Sequence, residues 1–289
     1  MDPQDRFVKV RECRFHYIEW PDNGPDLLFY HGDQRSSGSF RAVGRRVADR
    51  FHTFAIDGRG AGDTWWTRRG YTMPERADDF IALAEAAGWR DILAVGHSIG
   101  ATVLLYAARK RPDLFAGFFL LDPIIKRDFK TQERVSQAPI RSHRYWPSRD
   151  EMRQTLLHHP TAGKWAREVI EDVVQHEALE HPNGQVEVKW APEMFNYADR
   201  TADDFDLTED VRRLGKPIAV LVGTEQTAVD VPHVRACLAP IPGAQLVLCQ
   251  GAGHNVYMEW PDVTAQLLTA FAEGKRLPET VGKGTGVGV

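Results

Sequence analysis

The hydrophobic pattern changes along the chain, and it predicts where strands and helices fall. Phe7–Val10 and Arg14–Trp20 read as the two strands of a hairpin. Asp26–Tyr30 is a short, nearly continuous apolar run that ends in His31-Gly32. Residues 40–51 have helical spacing, and His52–Ile56 is another buried-strand run, ending at Asp57-Gly58. Pro74–Trp89 reads as a helix with its proline in the first turn. Asp91–Val95 predicts a strand running into Gly96-His97-Ser98-Ile99-Gly100. Ala101–Arg111 predicts a helix stopped by Pro112, and Phe115–Leu121 a strand ending at Asp122-Pro123.

Short apolar runs separated by helices predict a mostly parallel sheet covered on both faces. The alternation then stops. From about residue 124 to 208 the chain is polar and charged, with amphipathic helical spacing at 149–159 and 164–179. It resumes after Pro217, with strands at Ile218–Val222 and Ala244–Cys249 and a closing helix at Val263–Ala272. The expected organisation is an α/β core of eight strands, residues 1–123 and 209–280. A helical cap, residues 124–208, is inserted after the sixth strand. It would lie over the carboxyl ends of the strands, where open α/β sheets place their ligands. The tail, residues 281–289, is glycine-rich. It follows no predicted strand and precedes no predicted helix, so its GxG spacing fails as a phosphate loop and disorder is expected.

Composition narrows the function. The chain has 289 residues, 43% of them hydrophobic, which is enough for a large core. Its 36 Lys+Arg against 40 Asp+Glu leave a net charge of −4, without the basic footprint of a nucleic-acid binder. No apolar run reaches the roughly 18 residues of a membrane span. Three widely spaced cysteines, Cys13, Cys237 and Cys249, suggest no disulfide framework and a reducing, cytoplasmic setting. The expected partner is a small-molecule substrate, with no nucleic acid, no membrane, no metal and no cofactor. Oligomeric state is not readable.

The candidate chemistry is concentrated at strand ends. Gly96-His97-Ser98-Ile99-Gly100 matches G-x-S-x-G between a strand and a helix. A serine there sits on a tight turn above the sheet, at a helix N-terminus whose N–H groups favour a developing oxyanion. Serine needs a general base, and His254 follows the last strand in Gly251-Ala252-Gly253-His254. Tryptophans 146, 165 and 190, with Phe195 and Tyr197, could line an apolar pocket in the cap or simply hold its helices together.

Together these motifs resemble the α/β-hydrolase superfamily over nearly the whole chain. His31-Gly32 resembles its HG-x oxyanion loop. The run Asp57-Gly58-Arg59-Gly60-Ala61-Gly62-Asp63-Thr64 resembles its D-x-R-G-x-G-x-S turn, with Thr64 in place of serine. The resemblance implies oxyanion donors at the backbone N–H groups of Ile99 and Asp33. The Asp33 carboxylate is then expected to turn away, toward Arg35 or a loop amide. The resemblance also implies a triad acid three residues after Gly223, but Gln226 stands there and cannot carry the charge. Asp122 is the favoured replacement, since some branches place the acid after the sixth strand. Glu225 and Asp230 are the alternatives.

The expected activity is hydrolysis of a small or medium carboxylic ester or lactone through an acyl-serine. C–C bond hydrolysis or cofactor-free oxygenation on the same scaffold are alternatives, as is a non-catalytic ligand-binding protein. Dehalogenase and epoxide-hydrolase chemistry would need a carboxylate nucleophile at Ser98.

Overall fold

A computed structural model describes residues 2–22, 24–127, 144–195 and 204–284, with Phe195 described by its backbone alone. Its frame is one sheet of nine strands. In chain order these are β1 (Gln4–Val10), β2 (Cys13–Trp20), β3 (Asp26–Tyr30), β4 (His52–Ile56), β5 (Ile92–His97) and β6 (Phe115–Leu121). Two short pairs intervene: β7 (Lys126–Arg127) with β10 (Phe205–Asp206), and β8 (Ala178–Glu180) with β9 (Val186–Val188). The main sheet then resumes with β11 (Ile218–Gly223), β12 (Gln245–Gln250) and β13 (Thr280–Gly282).

The order across the sheet is β1-β2-β4-β3-β5-β6-β11-β12-β13. Only the β1–β2 and β2–β4 pairings are antiparallel; every later pairing is parallel. The strands from β3 to β11 are buried on both faces, which is why they read as continuous apolar runs rather than as alternation. Alternate residues still serve different layers. Leu27, Phe29 and Val95 join one apolar cluster with Arg41–Val47 (α1) and Pro261–Ala272. Leu28, Tyr30 and Ala94 join the other, with Met73–Ala87 (α2) and Ile99–Lys110 (α3).

Three expectations need correction. The sheet has a ninth strand, and it lies partly in the tail expected to be disordered: Thr280, Val281 and Gly282 pair with Leu248, Cys249 and Gln250. Residues 285–289 of that tail lie outside the described residues. Three residues are too few for a periodic signal, and the exposed edge of β12 supplies the missing partner. The helix expected at 40–51 is a short 3-10 turn at Ser37–Phe40 followed by α1, which ends at Val47. Finally, the segment between β6 and β11 is not purely helical. It carries α4 (Arg149–His158) and α5 (Arg167–His176), but also the β8–β9 hairpin. Its apolar side chains Trp146, Met152, Val169, Ile170 and Val173 merge with the cluster around Phe40 and Tyr257. No helix among the described residues is long and apolar enough to cross a membrane.

Glycine is required where α3 passes the end of β3. A Cβ on Gly100 would lie 2.4 Å from the His31 carbonyl oxygen and 2.5 Å from that of Tyr30. Both obstacles are backbone and cannot swing aside. Gly100→Ala is therefore expected to lower stability by about 1–3 kcal/mol or more, the usual scale of overpacking. A denaturant midpoint equal to the parent's would refute this close approach.

Candidate active site

The site stands at the carboxyl ends of β5, β6 and β12. Ser98 is the hinge between β5 and α3, with φ +52° and ψ −119°. A non-glycine residue there carries strain of about 1–3 kcal/mol, held by the surrounding structure. Two features hold it. The Ser98 N–H donates to the Leu121 carbonyl at 2.9 Å. Gly96 lets the helix descend onto the strand, since a Cβ there would lie 2.5 Å from the Ala101 Cα. Ile99 is the first residue of α3, so its N–H has no partner within the helix.

His254 reaches Ser98 from the turn after β12, and its Nε2 lies 3.0 Å from Ser98 Oγ. That turn is fixed from three sides. His97 donates from Nε2 to the His254 carbonyl at 2.9 Å. Gly253 N–H donates to both carboxylate oxygens of buried Glu259, each at 3.1 Å. The turn also passes directly over Gly223, where a Cβ would lie 2.1 Å from the Gly253 oxygen. Glu259 was not singled out by the sequence; its only signal is its place five residues after His254.

Asp122 follows β6, is wholly buried and adopts φ +43°. Its Oδ1 accepts from the Gly223 N–H at 3.1 Å. Its Oδ2 faces His254 Nδ1 at 4.0 Å. Each of those two atoms is buried without a hydrogen-bond partner. Burial pushes the Asp122 carboxyl well above its usual range, and the nearby Glu259 carboxylate adds to the shift. Burial pushes His254 down to about 4. Burial thus keeps His254 neutral and able to accept a proton.

The alternative acids are engaged elsewhere. Glu225 is half-exposed and pairs with Lys164 at 2.7 Å. Asp230 caps the helix Val231–Leu238, accepting from the His233 N–H at 3.1 Å. Gln226 folds onto its own loop, its Oε1 accepting from Val229 N–H at 2.7 Å. The Asp33 side chain does turn aside, but not toward Arg35: it faces Arg76 Nη1 at 3.4 Å. Arg35 instead faces buried Glu177 at 2.9 Å. These long-range pairings have no local sequence signal.

The glycine-rich turn after β4 braces the loop that carries Asp33. Asp57 accepts from the N–H groups of Ser37 at 2.7 Å and Asp63 at 2.9 Å, and from His16 Nδ1 at 2.6 Å. Thr64 Oγ1 donates to the Asp57 carbonyl at 2.8 Å, so threonine fills the serine position of that motif. Glu177, from the segment between β6 and β11, accepts from Ser36 N–H at 2.9 Å and Ser39 N–H at 3.0 Å. Among the described residues His16, Asp57 and Asp63 are close enough to converge on a metal. His16 and Asp57 bind each other, Asp57 also accepts from backbone amides, and the Asp63 carboxylate pairs with Lys189 Nζ at 2.8 Å, so the trio reads as a brace.

A cavity of about 880 Å³ opens above Ser98 and His254. Trp146, Trp165 and Trp190 line it, as do Arg35 and Arg144. Tyr197 lies outside the described residues, as does the Phe195 side chain.

Comparison with known proteins agrees with this architecture. The model of the Alpha/beta hydrolase family matches residues 27–267, and the chain belongs to that family. It is 26% identical over 271 residues to a 2-(acetamidomethylene)succinate hydrolase of Mesorhizobium japonicum, covering 87% of this chain and 89% of that one. The crystal structure of E-2-(acetamidomethylene)succinate hydrolase superposes with a TM-score of 0.82 at 22% identity, covering 94% and 99% of the two chains. A putative carbamate hydrolase, RutD, of Caulobacter sp. (strain K31) is 24% identical over 248 residues, 83% of this chain and 87% of that one.

The His254 shift has a measurable consequence. An unfolded chain takes up this proton near the ordinary value of 6.5, the folded one only near 4. The stabilising contribution of neutral His254 is thus present above pH 6.5 and lost as pH falls toward 4. The imidazole signals of His254 should titrate near pH 4 by NMR. A midpoint near 6.5 would show that the ring is not desolvated.

Proposed function

We propose that this α/β hydrolase is a serine hydrolase that cleaves a small or medium carboxylic ester or lactone. The observation that carries the proposal is the 3.0 Å approach of His254 Nε2 to Ser98 Oγ, on a strained strand-to-helix turn. Ser98 Oγ attacks the carbonyl carbon, and its proton passes to His254 Nε2. Negative charge develops on the carbonyl oxygen, where the N–H groups of Ile99 and Asp33 are the proposed donors. The C–O bond to the alcohol breaks, and that oxygen takes the proton from His254. Water then attacks acyl-Ser98, gives its proton to His254 and releases the acid, and the proton returns to Ser98.

Asp122 is the proposed third member. His254 must keep a proton on Nδ1 so that Nε2 can accept, and Asp122 Oδ2 is the carboxylate oxygen facing Nδ1. The 4.0 Å gap between two otherwise unpartnered atoms closes to a hydrogen bond if the ring shifts by about 1 Å toward the carboxylate. As imidazolium forms during attack, its charge favours the ionised Asp122 carboxylate and draws the pair together.

A second reading comes from the relatives. The names of the Mesorhizobium and Caulobacter proteins describe substrates with a carbonyl–nitrogen bond. The same residues would serve there, with His254 delivering its proton to nitrogen. The expected setting is the reducing cytoplasm, and Cys13, Cys237 and Cys249 are all buried free thiols.

Intact mass after exposure to a fluorophosphonate tests the nucleophile. A single adduct is expected, and Ser98→Ala should abolish it. An unmodified parent protein would mean that Ser98 is not an activated nucleophile.

The acid is tested separately. Asp122→Asn is expected to lower ester turnover on the order of a thousandfold or more by holding the wrong imidazole tautomer. Glu225→Gln should leave it near normal. The reverse outcome would move the acid to Glu225.

A further inference from the structure

The cavity over Ser98 holds two cations that acyl transfer itself does not use. Arg35 lies on the loop after β3, its guanidinium 5.2 Å from the centre of the Trp165 ring. Arg144 comes from the segment between β6 and β11, its guanidinium 5.3 Å from the centre of the Trp146 ring. Both tryptophans and both arginines line the cavity that contains Ser98 and His254. An arginine lying over an aromatic ring is oriented by it and keeps its planar fork of N–H donors for a ligand.

Among the described residues, Arg35 faces a carboxylate and Arg144 does not. Asp33 also lines the cavity, but it faces Arg76. Glu177 faces Arg35 Nη1 at 2.9 Å, with its other oxygen occupied by Ser36 and Ser39. That pair leaves Arg35 incompletely satisfied. Neither Nη1 nor Glu177 Oε2 has an aligned hydrogen-bond partner, and arginine carries five N–H donors. Arg144 is exposed, and among the described residues no carboxylate lies within ion-pair distance of it. A pocket for a plain aliphatic acyl chain has no use for either cation. A carboxylate fits both, because two parallel N–H···O bonds match the arginine fork.

We propose that the substrate of Ser98 is an anion, an acyl compound bearing a carboxylate away from the scissile bond, and that Arg144 and Arg35 bind that carboxylate. The proposal rests on the serine-hydrolase reading and adds the charge of the substrate to it. Glu177 is then a positioning residue. It ties Arg35 to the same loop that carries the Asp33 N–H, so anion binding and the proposed oxyanion donor share one support.

The test compares 4-nitrophenyl hemiadipate with 4-nitrophenyl hexanoate, esters of similar length that differ in a terminal carboxylate. The parent protein is expected to favour the hemiadipate in kcat/KM by about tenfold or more, and added salt should erode the preference. Arg144→Gln should collapse the ratio through KM. Arg144 is exposed, so its loss is not expected to compromise folding, and Arg35→Lys provides a second variant that keeps a charge facing Glu177. A parent that labels with fluorophosphonate yet shows no preference, or an Arg144→Gln protein that keeps it, would overturn the anion site while leaving the hydrolase reading intact. If Ser98 does not label, the hydrolase reading fails. Calorimetry with adipate then decides the anion site alone: binding that Arg144→Gln abolishes supports it, and no binding to the parent overturns it.

Discussion

A side chain on Gly100 would collide with the backbone of the β3–loop junction, 2.4 Å from the His31 oxygen. That close approach is the constraint on which the site depends. It brings the start of α3, with the Ile99 N–H, against the loop that carries Asp33. Gly96 and Gly32 complete the contact: a Cβ on Gly32 would lie 2.6 Å from His97 Nδ1 and 3.2 Å from the Ser98 Cβ. Nucleophile and loop are thereby placed by backbone against backbone, in a packed interior that transmits small errors. The strain at Ser98 persists because these contacts over-determine it.

The proposed base and its proposed acid obey a different constraint, which is desolvation. Asp122 lies at the centre of the sheet end, between β5 and β11, where among the described residues no lysine or arginine pairs with it. His254 is carried over it by a turn that Gly223 admits and that Glu259 and His97 hold. Burial keeps the imidazole neutral and free to accept a proton from Ser98. Gln226, at the position where the family resemblance implied an acid, is occupied within its own loop.

The segment between β6 and β11 adds the chemistry that the core lacks. Its tryptophans wall the cavity, Arg144 brings a positive charge, and Glu177 reaches down to the loop carrying Asp33 and Arg35. Its apolar side chains join the cluster around Phe40 and Tyr257, so the cavity roof and the site floor share one packed layer. Substrate selection and the support of the proposed oxyanion donors are for that reason not separable parts of the molecule.

By itself the sequence determined the elements and the order of the chemistry. Buried parallel strands are apolar on both faces, so β3, β4, β5, β6 and β11 are visible as runs. The elbow at Ser98 and the turn before His254 need glycine at fixed offsets, which leaves a local signature. Asp122 was legible as a candidate because it ends a strand, and Glu225 and Asp230 because they lie on the loop after β11. The tertiary structure pairs Glu225 with Lys164 and gives Asp230 to a helix cap, while Asp122 faces His254. It alone paired β13 with β12, turned Asp33 to Arg76 rather than Arg35, and set Glu177 beneath Arg35. Each of these depends on side chains or edges far apart in the chain. Such contacts are chosen by distance and burial after folding, and no spacing along the sequence records them.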